Sequence, residues 1–128
     1  MAIYLTNDDV RQILTIDAAV DVLDDLFRQE AAGLVENIPR KRRRFDAGGS
    51  GTLMGGVVHG SKAYAVRNSH QSLLHDTETG KLEAVIEPSA VAWIRTGAAS
   101  GVATKYMAQP DASVVGCIGT ARQAITQL

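Results

Sequence analysis

The C-terminal fifteen residues constrain the fold of this chain more than any other segment. They pass from the apolar run 114–118 through a glycine-containing turn, 119–124, into a helix-like pattern. A strand, a glycine turn and a helix in this order open the dinucleotide-binding units of doubly wound α/β folds. Ala121 stands at the middle position of the G-x-G-x-x-G/A spacing, where the backbone approaches a pyrophosphate most closely. Any helix that starts after a buried strand gives a similar pattern, so the turn alone does not decide the function.

The position of this motif at the end of the chain predicts the domain organisation. The acidic residue that holds the ribose in such units follows about 20 positions later, beyond the last of the 128 residues. We therefore expect residues 1–110 to form one domain and residues 111–128 to be the start of a truncated NAD(P)-binding Rossmann domain. We also expect the 128-residue chain by itself to be inactive.

Composition excludes several classes of protein. With 45% hydrophobic and 21% charged residues, the chain has enough apolar material for a core, which argues against disorder. Thirteen basic and fourteen acidic residues give a net charge of -1, so nothing in the overall charge predicts a nucleic-acid partner. No apolar run approaches the ~20 residues that span a bilayer, and the N-terminus has no signal-peptide pattern. We expect a cytoplasmic protein without a membrane partner.

The single cysteine and the three histidines give no sign of a metal site. Cys117 has no second cysteine to pair with, and we expect it to be a small buried residue of the 114–118 strand, with a reactive thiol as the alternative. His59, His70 and His75 do not follow a metal-ligand spacing, so no metal is predicted. Ser69-His70 has no partner acid at a readable spacing, so a nucleophilic triad is not predicted either.

Periodicity predicts an α/β fold with two longer helices. Residues 3–5 suggest a short strand, after which Thr6 caps a short helix. A second helix begins near residues 15–17 and ends at Gly33. Its predicted apolar stripe comprises Ile16, Val20, Leu23, Phe27, Ala31 and Leu34, and its predicted polar face comprises Asp21, Asp24, Asp25 and Arg28.

The middle of the chain reads as strands followed by a long helix. Alternation and turn residues predict strands over 38–45, 52–58 and 62–66 and a hairpin over 73–86 with its turn at 77–80. Pro88 occupies a first-turn position of a helix that runs to Met107 and ends before Pro110.

Three groups of basic side chains are candidates for binding an anion. Arg95, beside Thr96 in an apolar helix, needs an anionic partner, which is either a ligand carboxylate or phosphate or a protein carboxylate. Lys62 begins a strand and is either solvated or, if buried, a base or carbonyl-polarising group. In a strand over 40–44, Arg40, Arg42 and Arg44 share one face, which either lines an anion site or forms a solvated edge.

Several motifs occur in a fixed order along the chain. Lys62 follows the strand that contains Leu53-Met54, and residues 74–84 match the hairpin pattern L-x-D-x-x-T-G-x-x-x-A. Arg95-Thr96-Gly97-Ala98-Ala99-Ser100 and the 119–124 turn complete the series. In combination these motifs are specific, and over nearly its whole length the chain resembles the N-terminal part of the ornithine cyclodeaminase/mu-crystallin family.

The resemblance implies a fold and an activity. Members of this family are NAD- or NADP-dependent enzymes acting on amino acids or cyclic imines, by oxidative deamination, cyclodeamination or imine reduction. The fold implied is a substrate and dimerisation domain with a mixed sheet and helices, followed by a Rossmann domain. The partners implied are a small amino acid or imine and a second copy of the chain. A non-catalytic, crystallin-like binding or dimerisation module is the alternative.

The resemblance also assigns roles to residues of this chain. Lys62 corresponds to the substrate lysine, and Arg95 to the arginine that reaches both the substrate carboxylate and the cofactor. Arg42, or else Arg40, corresponds to a second carboxylate-binding arginine. The residues implied in cofactor binding are Arg95, Thr96, Ser69, Gly119, Ala121, Arg122 and Gln123.

The chain departs from the family pattern at several places. Ala121 replaces a usual glycine, and Met54-Gly55-Gly56 replaces the commoner Met-Pro-Ala. The loop between Lys62 and His70 is short. The family's catalytic aspartate falls beyond residue 128, so the chain has the carboxylate-binding groups and the lysine but not that acid.

Overall fold

The computed structural model describes residues 1–127 and contains a six-stranded sheet and three helices. The elements are β1 (Ile3–Leu5), α1 (Asn7–Ile13), α2 (Ile16–Ala31), β2 (Val35–Arg44), β3 (Ser50–Val58), β4 (Ala63–Asn68), β5 (Ser72–Asp76), β6 (Leu82–Ile86) and α3 (Pro88–Met107), with a single 3-10 turn at Ala124–Thr126. The predicted α/β class is confirmed, and up to Met107 the predicted elements are present with small shifts of their ends. None of the helices in the described part of the chain is long and apolar enough to cross a membrane.

The two N-terminal helices begin and end where local chemistry dictates. Thr6 and Asp9 form a reciprocal capping box at the start of α1, and the Thr15 hydroxyl accepts a hydrogen bond from the amide of Ala18 at the start of α2. Gly33, with a φ of 75°, follows the end of α2 in the left-handed conformation that glycine adopts most readily.

The sheet has the order β1-β6-β5-β4-β3-β2 and two distinct faces. β1 runs parallel to β6, and all other neighbouring strands are antiparallel. We call the side that carries Ala84 and Arg67 the helix face, because Ala84 is buried and Arg67 lines a cavity together with α2 and α3. The opposite side, which carries Val66 and Leu73 as a cross-strand pair, is the open face.

The hydrophobic core is small and lies between the helices and β6. Its fully buried apolar residues are Val10, Ala19, Ala84, Ala90, Ala98 and Val102. The accessible surface is 9353 Å², whereas a compact monomer of 13.6 kDa exposes about 6,600 Å². The described chain therefore exposes much more surface than a self-contained domain of its size.

The buried face of α2 differs from the predicted stripe. Ile16, Phe27 and Leu34 are all more than 40% exposed, whereas Ala19 is buried. Asp24, which was predicted on the polar face, has a side chain only 14% exposed because it accepts hydrogen bonds from Lys105 and Tyr106 of α3. A polar residue on the contact face cannot be recognised from hydrophobic periodicity alone.

The predicted strand over 114–118 is absent from the structure, and the helix predicted after it is reduced to the 3-10 turn. Val114, Val115 and Ile118 are 87%, 70% and 105% exposed, and Cys117 is exposed rather than buried. A strand needs a neighbouring strand to pair its backbone groups, and all six described strands pair with one another in a sheet that excludes this segment. The division into domains at residue 110 therefore stays a prediction.

Candidate functional site

A cavity of about 430 Å³ opens between the helix face of the sheet and helices α2 and α3. Arg67 from β4 and Arg95 from α3 line one end of it, near Met54 and Ser72. Gly55 and Gly56 of β3 form part of its wall. Leu26 of α2 is among its apolar lining residues, so this first cavity combines an apolar wall with two guanidinium groups.

A second cavity of about 350 Å³ adjoins the first and shares Arg67 with it. Arg40 and Arg42 of β2 line this cavity, and Ser69 and His70 from the β4–β5 turn line it as well. Ser69 is fixed in position because its hydroxyl accepts a hydrogen bond from the amide of Thr52 at 3.0 Å. The two cavities together bring four guanidinium groups into one region, and we call Arg40, Arg42, Arg67 and Arg95 the arginine cluster.

A β-bulge at Pro39 turns the arginines of β2 toward this region. Ile38 pairs with Gly55 and Lys41 with Leu53, so Pro39 and Arg40 both lie opposite the single residue Met54. In an unbroken strand, Arg40 would share the open face with Ile38. The extra residue reverses the alternation and places Arg40 and Arg42 on the helix side, as bulges near functional sites commonly do.

The arginine cluster has an excess of positive charge. Burial lowers the pKa of Arg67, and the positive charges of Arg95 and Arg40 lower it further. Among the described residues, no carboxylate lies within 4.0 Å of a guanidinium of this cluster. Arg42 donates a hydrogen bond to the Ser50 hydroxyl at 3.2 Å. Groups with this arrangement bind an anion favourably, because like charges held together gain most from a shared counter-charge.

Lys62 does not share this site in the structure, which differs from the expectation drawn from the sequence. It precedes β4, its side chain is 81% exposed, and its Nζ lies 3.5 Å from a carboxylate oxygen of Glu78. Lys62 is two residues before Tyr64 and four before Val66, so by strand alternation it lies on the open face with them, whereas Arg67 lies on the helix face. The short hairpin between β3 and β4 fixes this alternation, and the sequence pattern did not reveal it.

The structure places the other predicted site residues in different surroundings. Arg95 lines the first cavity, and its side chain is exposed although it belongs to a mostly apolar helix. Thr96 donates its hydroxyl hydrogen to the carbonyl of Ala92 at 2.6 Å, a bond within the helix itself. Ser69 lies with Arg40 and Arg42 in the second cavity.

The C-terminal turn packs on the opposite side of α3 and forms a third cavity. Its Arg122 guanidinium lies 5.6 Å from the ring centre of Trp93, and Arg11 of α1 lies 5.7 Å from the same ring. Arg122 and Trp93 line this cavity of about 400 Å³. A Cβ added at Gly97 would overlap the carbonyl oxygen of Thr126, so this turn lies directly against the helix. Gly119 has a φ of 110°, which is favourable only for glycine.

Arg67 is the site residue that sequence reasoning missed. It follows Val66 at the end of a strand, where a charged residue usually faces solvent, and none of the family motifs includes it. Strand alternation offered a signal, since Ala63, Ala65 and Arg67 share one face. That signal becomes specific only once the Pro39 bulge and the position of α3 are known.

Comparison with known proteins places the chain in a family. The model of the ornithine cyclodeaminase/mu-crystallin family matches residues 2–128. Alanine dehydrogenase of Archaeoglobus fulgidus is 30% identical over 139 aligned residues, which cover 98% of this chain and 43% of the relative. This chain therefore spans less than half the length of that relative.

Solved structures agree with this assignment. An archaeal alanine dehydrogenase dimer with bound NAD matches with a TM-score of 0.85 and 30% identity, over 98% of this chain and 43% of its own. The Δ(1)-pyrroline-2-carboxylate reductase of Thermococcus litoralis, in complex with NADH and L-proline, matches with a TM-score of 0.87 and 28% identity, over 99% of this chain and 44% of its own. The chain belongs to the ornithine cyclodeaminase/mu-crystallin family.

Proposed function

We propose that the full-length protein is an NAD- or NADP-dependent enzyme that acts on an amino acid or a cyclic imine. The observation that carries this proposal is the convergence of Arg40, Arg42 and Arg95 around two adjoining cavities. Family membership and the cofactor-bound state of two structural relatives support it. The reaction is oxidation of the amino acid at its α-carbon, with deamination or cyclodeamination to follow, or the reverse reduction of an imine.

The arginines bind the α-carboxylate of the substrate in this proposal. A planar guanidinium binds a carboxylate through two parallel hydrogen bonds, which fixes the orientation of the carboxylate as well as attracting it. Arg42, with Arg40 beside it, approaches from β2, and Arg95 approaches from α3. Holding the carboxylate from two elements orients the neighbouring α-carbon, and orientation of this kind contributes to rate by reducing the entropy lost in the reaction.

The C-terminal turn fits a dinucleotide. Amides 119–123 donate no hydrogen bond within the described residues, so they are available to a pyrophosphate. We assign cofactor binding to Gly119, Ala121, Arg122 and Gln123, with Arg95, Ser69 and Thr96 as further contacts. When bound, the dinucleotide supplies the group that accepts or donates the hydride.

Lys62 stays a prediction as the lysine that orients the nitrogen or carboxylate of the substrate. Its ion pair with Glu78 joins two side chains that are 81% and 68% exposed. Exposed pairs of this kind contribute little to stability, so Glu78 does not hold the lysine strongly in its present position. Because Lys62 lies on the open face and the arginine cluster on the helix face, the role requires the backbone of the β3–β4 turn to rearrange together with the side chain.

We propose further that the full-length protein is a cytoplasmic homodimer, in which the two copies meet through the open face of the sheet. This face carries the apolar side chains of Leu53, Val66 and Leu73, and Leu53 is 52% exposed. The large exposed surface of the chain argues that a partner or further sequence covers part of it. One structural relative is described as a dimer.

A screen of the full-length protein tests this function. Amino acids are offered with NAD or NADP, and cyclic imines with the reduced cofactors, while the ultraviolet absorbance of the reduced nicotinamide is recorded. We expect turnover with at least one amino acid or imine. Absence of turnover with every compound, together with binding of a dinucleotide, would support the non-catalytic, crystallin-like alternative instead.

A further inference from the structure

We propose that the substrate carries a second carboxylate, which Arg67 binds, so that the preferred substrate class is amino or imino dicarboxylic acids. This inference rests on the proposed function and narrows its substrate class. The observation that carries it is the position of Arg67 between the two cavities, with Arg95 on one side and Arg40 and Arg42 on the other.

The charge of the site exceeds what one carboxylate neutralises. Four guanidinium groups line the two adjoining cavities, and a single α-carboxylate brings one negative charge. Arg67 is partly buried, while Arg40, Arg42 and Arg95 are exposed to solvent that screens them. The least screened cation of the cluster therefore gains most from a second anionic group.

The lining of the second cavity suits a carboxylate rather than an apolar side chain. Besides its arginines it is lined by one apolar residue, Met54, and by five residues with polar side chains: Ser50, Thr52, Asn68, Ser69 and His70. The first cavity, by contrast, has apolar walls near α2 and β3. A short dicarboxylic acid across the boundary between the two cavities would keep its α-carboxylate with Arg42 and Arg95, as in the proposed function, and place its second carboxylate beside Arg67.

The same charges disfavour a substrate with a second amino group. The carboxylates that line the first cavity are Glu30 and Glu36. Glu36 is opposite Val57 and Arg67 opposite Met54, which separates them by three positions, about 10 Å, along the strands and by two strand spacings, about 10 Å, across the sheet. Glu36 also lies 2.9 Å from the Nε2 of His59. A side-chain ammonium near the arginine cluster would therefore meet repulsion that Glu36 is too distant to offset.

The phosphates of the cofactor are the other source of negative charge. The turn that we assign to the pyrophosphate lies with Arg122 in the third cavity, which includes neither Arg67 nor any other member of the arginine cluster. Two of the further cofactor contacts assigned above, Arg95 and Ser69, do line the cavities that contain Arg67, so the cofactor is the alternative source of a counter-charge for Arg67. An experiment has to separate these two sources.

Matched substrates and matched ligands provide the test. For the full-length enzyme we compare kcat/KM for aspartate with that for alanine, and for glutamate with that for 2-aminobutyrate, with ornithine as the diamine. The dicarboxylic acid of each pair is expected to be preferred by about 10- to 100-fold, the value of one charged hydrogen-bonded pair. In parallel, thermal unfolding without nucleotide is expected to show protection by succinate and none by propionate.

Substitution of Arg67 tests whether this residue causes the preference for dicarboxylic acids. Arg67→Gln is expected to reduce the preference for aspartate over alanine by about 10- to 100-fold, with Arg67→Lys intermediate, because lysine keeps the charge but loses the fork geometry. Lys81→Gln removes one positive charge in the turn before β6 and is expected to leave the preference unchanged. Should Arg67→Gln fail to fold, the Arg67→Lys variant and the wild-type comparison of succinate with propionate still decide the matter.

Three outcomes would overturn the inference. Turnover that favours monocarboxylic or diamino acids contradicts it while leaving the proposed function intact. Equal protection by succinate and propionate contradicts it even if no substrate is turned over, a result that would separately refute the proposed function. Protection by pyrophosphate or ADP-ribose, lost in Arg67→Gln and without protection by succinate, would assign Arg67 to the cofactor.

Discussion

At the scale of single residues, Asp24 links α2 to α3 through hydrogen bonds that sequence patterns do not reveal. Its carboxylate accepts a hydrogen bond from the Nζ of Lys105 at 2.7 Å and from the hydroxyl of Tyr106 at 2.8 Å. Hydrogen bonds from Lys105 and Tyr106 lower the pKa of Asp24, and the positive charge of Arg28 contributes. Asp24 thus contributes to stability only while it is ionised.

The pH dependence of stability tests this role. Because the pKa of Asp24 is lower in the folded state than its ordinary value of 3.8, its contribution is present above that value and is lost as the pH falls through the folded pKa. Asp24→Asn is therefore expected to lower the melting temperature at neutral pH, and the difference from wild type should shrink below about pH 4. Asp46→Asn, in an exposed turn, is the control. A constant difference between wild type and Asp24→Asn across the pH range would contradict the assignment.

Some residues of the candidate site could be predicted from the sequence and others could not. The sequence identified Arg40, Arg42 and Arg95 as candidates, and the structure brings all three to adjoining cavities. It did not identify Arg67, whose neighbours come from distant parts of the chain. The family resemblance assigned Lys62 and Arg95 to the same substrate, but the structure places Lys62 beside Glu78. Motifs report which residues are present, whereas their mutual distances depend on strand alternation across the whole sheet.

At the scale of elements, the ends of helices were predictable and the register of strands was not. Thr6 and Gly33 mark helix ends through local chemistry that the sequence displays directly. The bulge at Pro39 requires knowledge of the partner strand, since only the pairing of Ile38 and Lys41 with β3 reveals it. The predicted strand over 114–118 was wrong for the related reason that strands form in pairs.

The capping box of α1 gives a prediction at this scale. The Thr6 hydroxyl accepts a hydrogen bond from the amide of Asp9, while the Asp9 carboxylate accepts one from the amide of Thr6. Thr6→Ala is expected to lower the free energy of unfolding by about 1 kcal/mol, measured by urea denaturation. Thr6→Ser should retain most of the stability, and Thr77→Ala, in an exposed turn, should change it by less than about 0.5 kcal/mol. Equal stability of Thr6→Ala and wild type would contradict the capping role.

At the scale of the whole molecule, the sheet carries a different surface on each face. The helix face carries the small core and the arginine cluster, while the open face carries apolar side chains without a covering layer in the described chain. The α/β class was predictable because periodicity distinguishes helices from strands. The exposure of the open face could not be predicted, because the burial of its side chains depends on what surrounds the domain.

The assembly of the full-length protein tests the interpretation of the open face. Leu53→Lys introduces a charge at a side chain that is already 52% exposed, so it should affect folding little but block an apolar interface. We expect wild type to be a dimer at micromolar concentration by light scattering and Leu53→Lys to shift toward monomer. Met107→Lys, at an exposed position at the end of α3, should remain dimeric. A wild-type monomer, or a Leu53→Lys variant that dimerises like wild type, would contradict the interpretation.

In the proposed function, the arginine cluster binds the substrate carboxylate. The most direct measurement is kcat/KM of the full-length enzyme for its best amino acid, compared between wild type, Arg95→Gln and Lys81→Gln. Loss of a charged hydrogen-bonding partner should reduce kcat/KM of Arg95→Gln by about 10- to 100-fold, while Lys81→Gln behaves like wild type. A folded Arg95→Gln enzyme with wild-type kcat/KM would show that the substrate binds elsewhere.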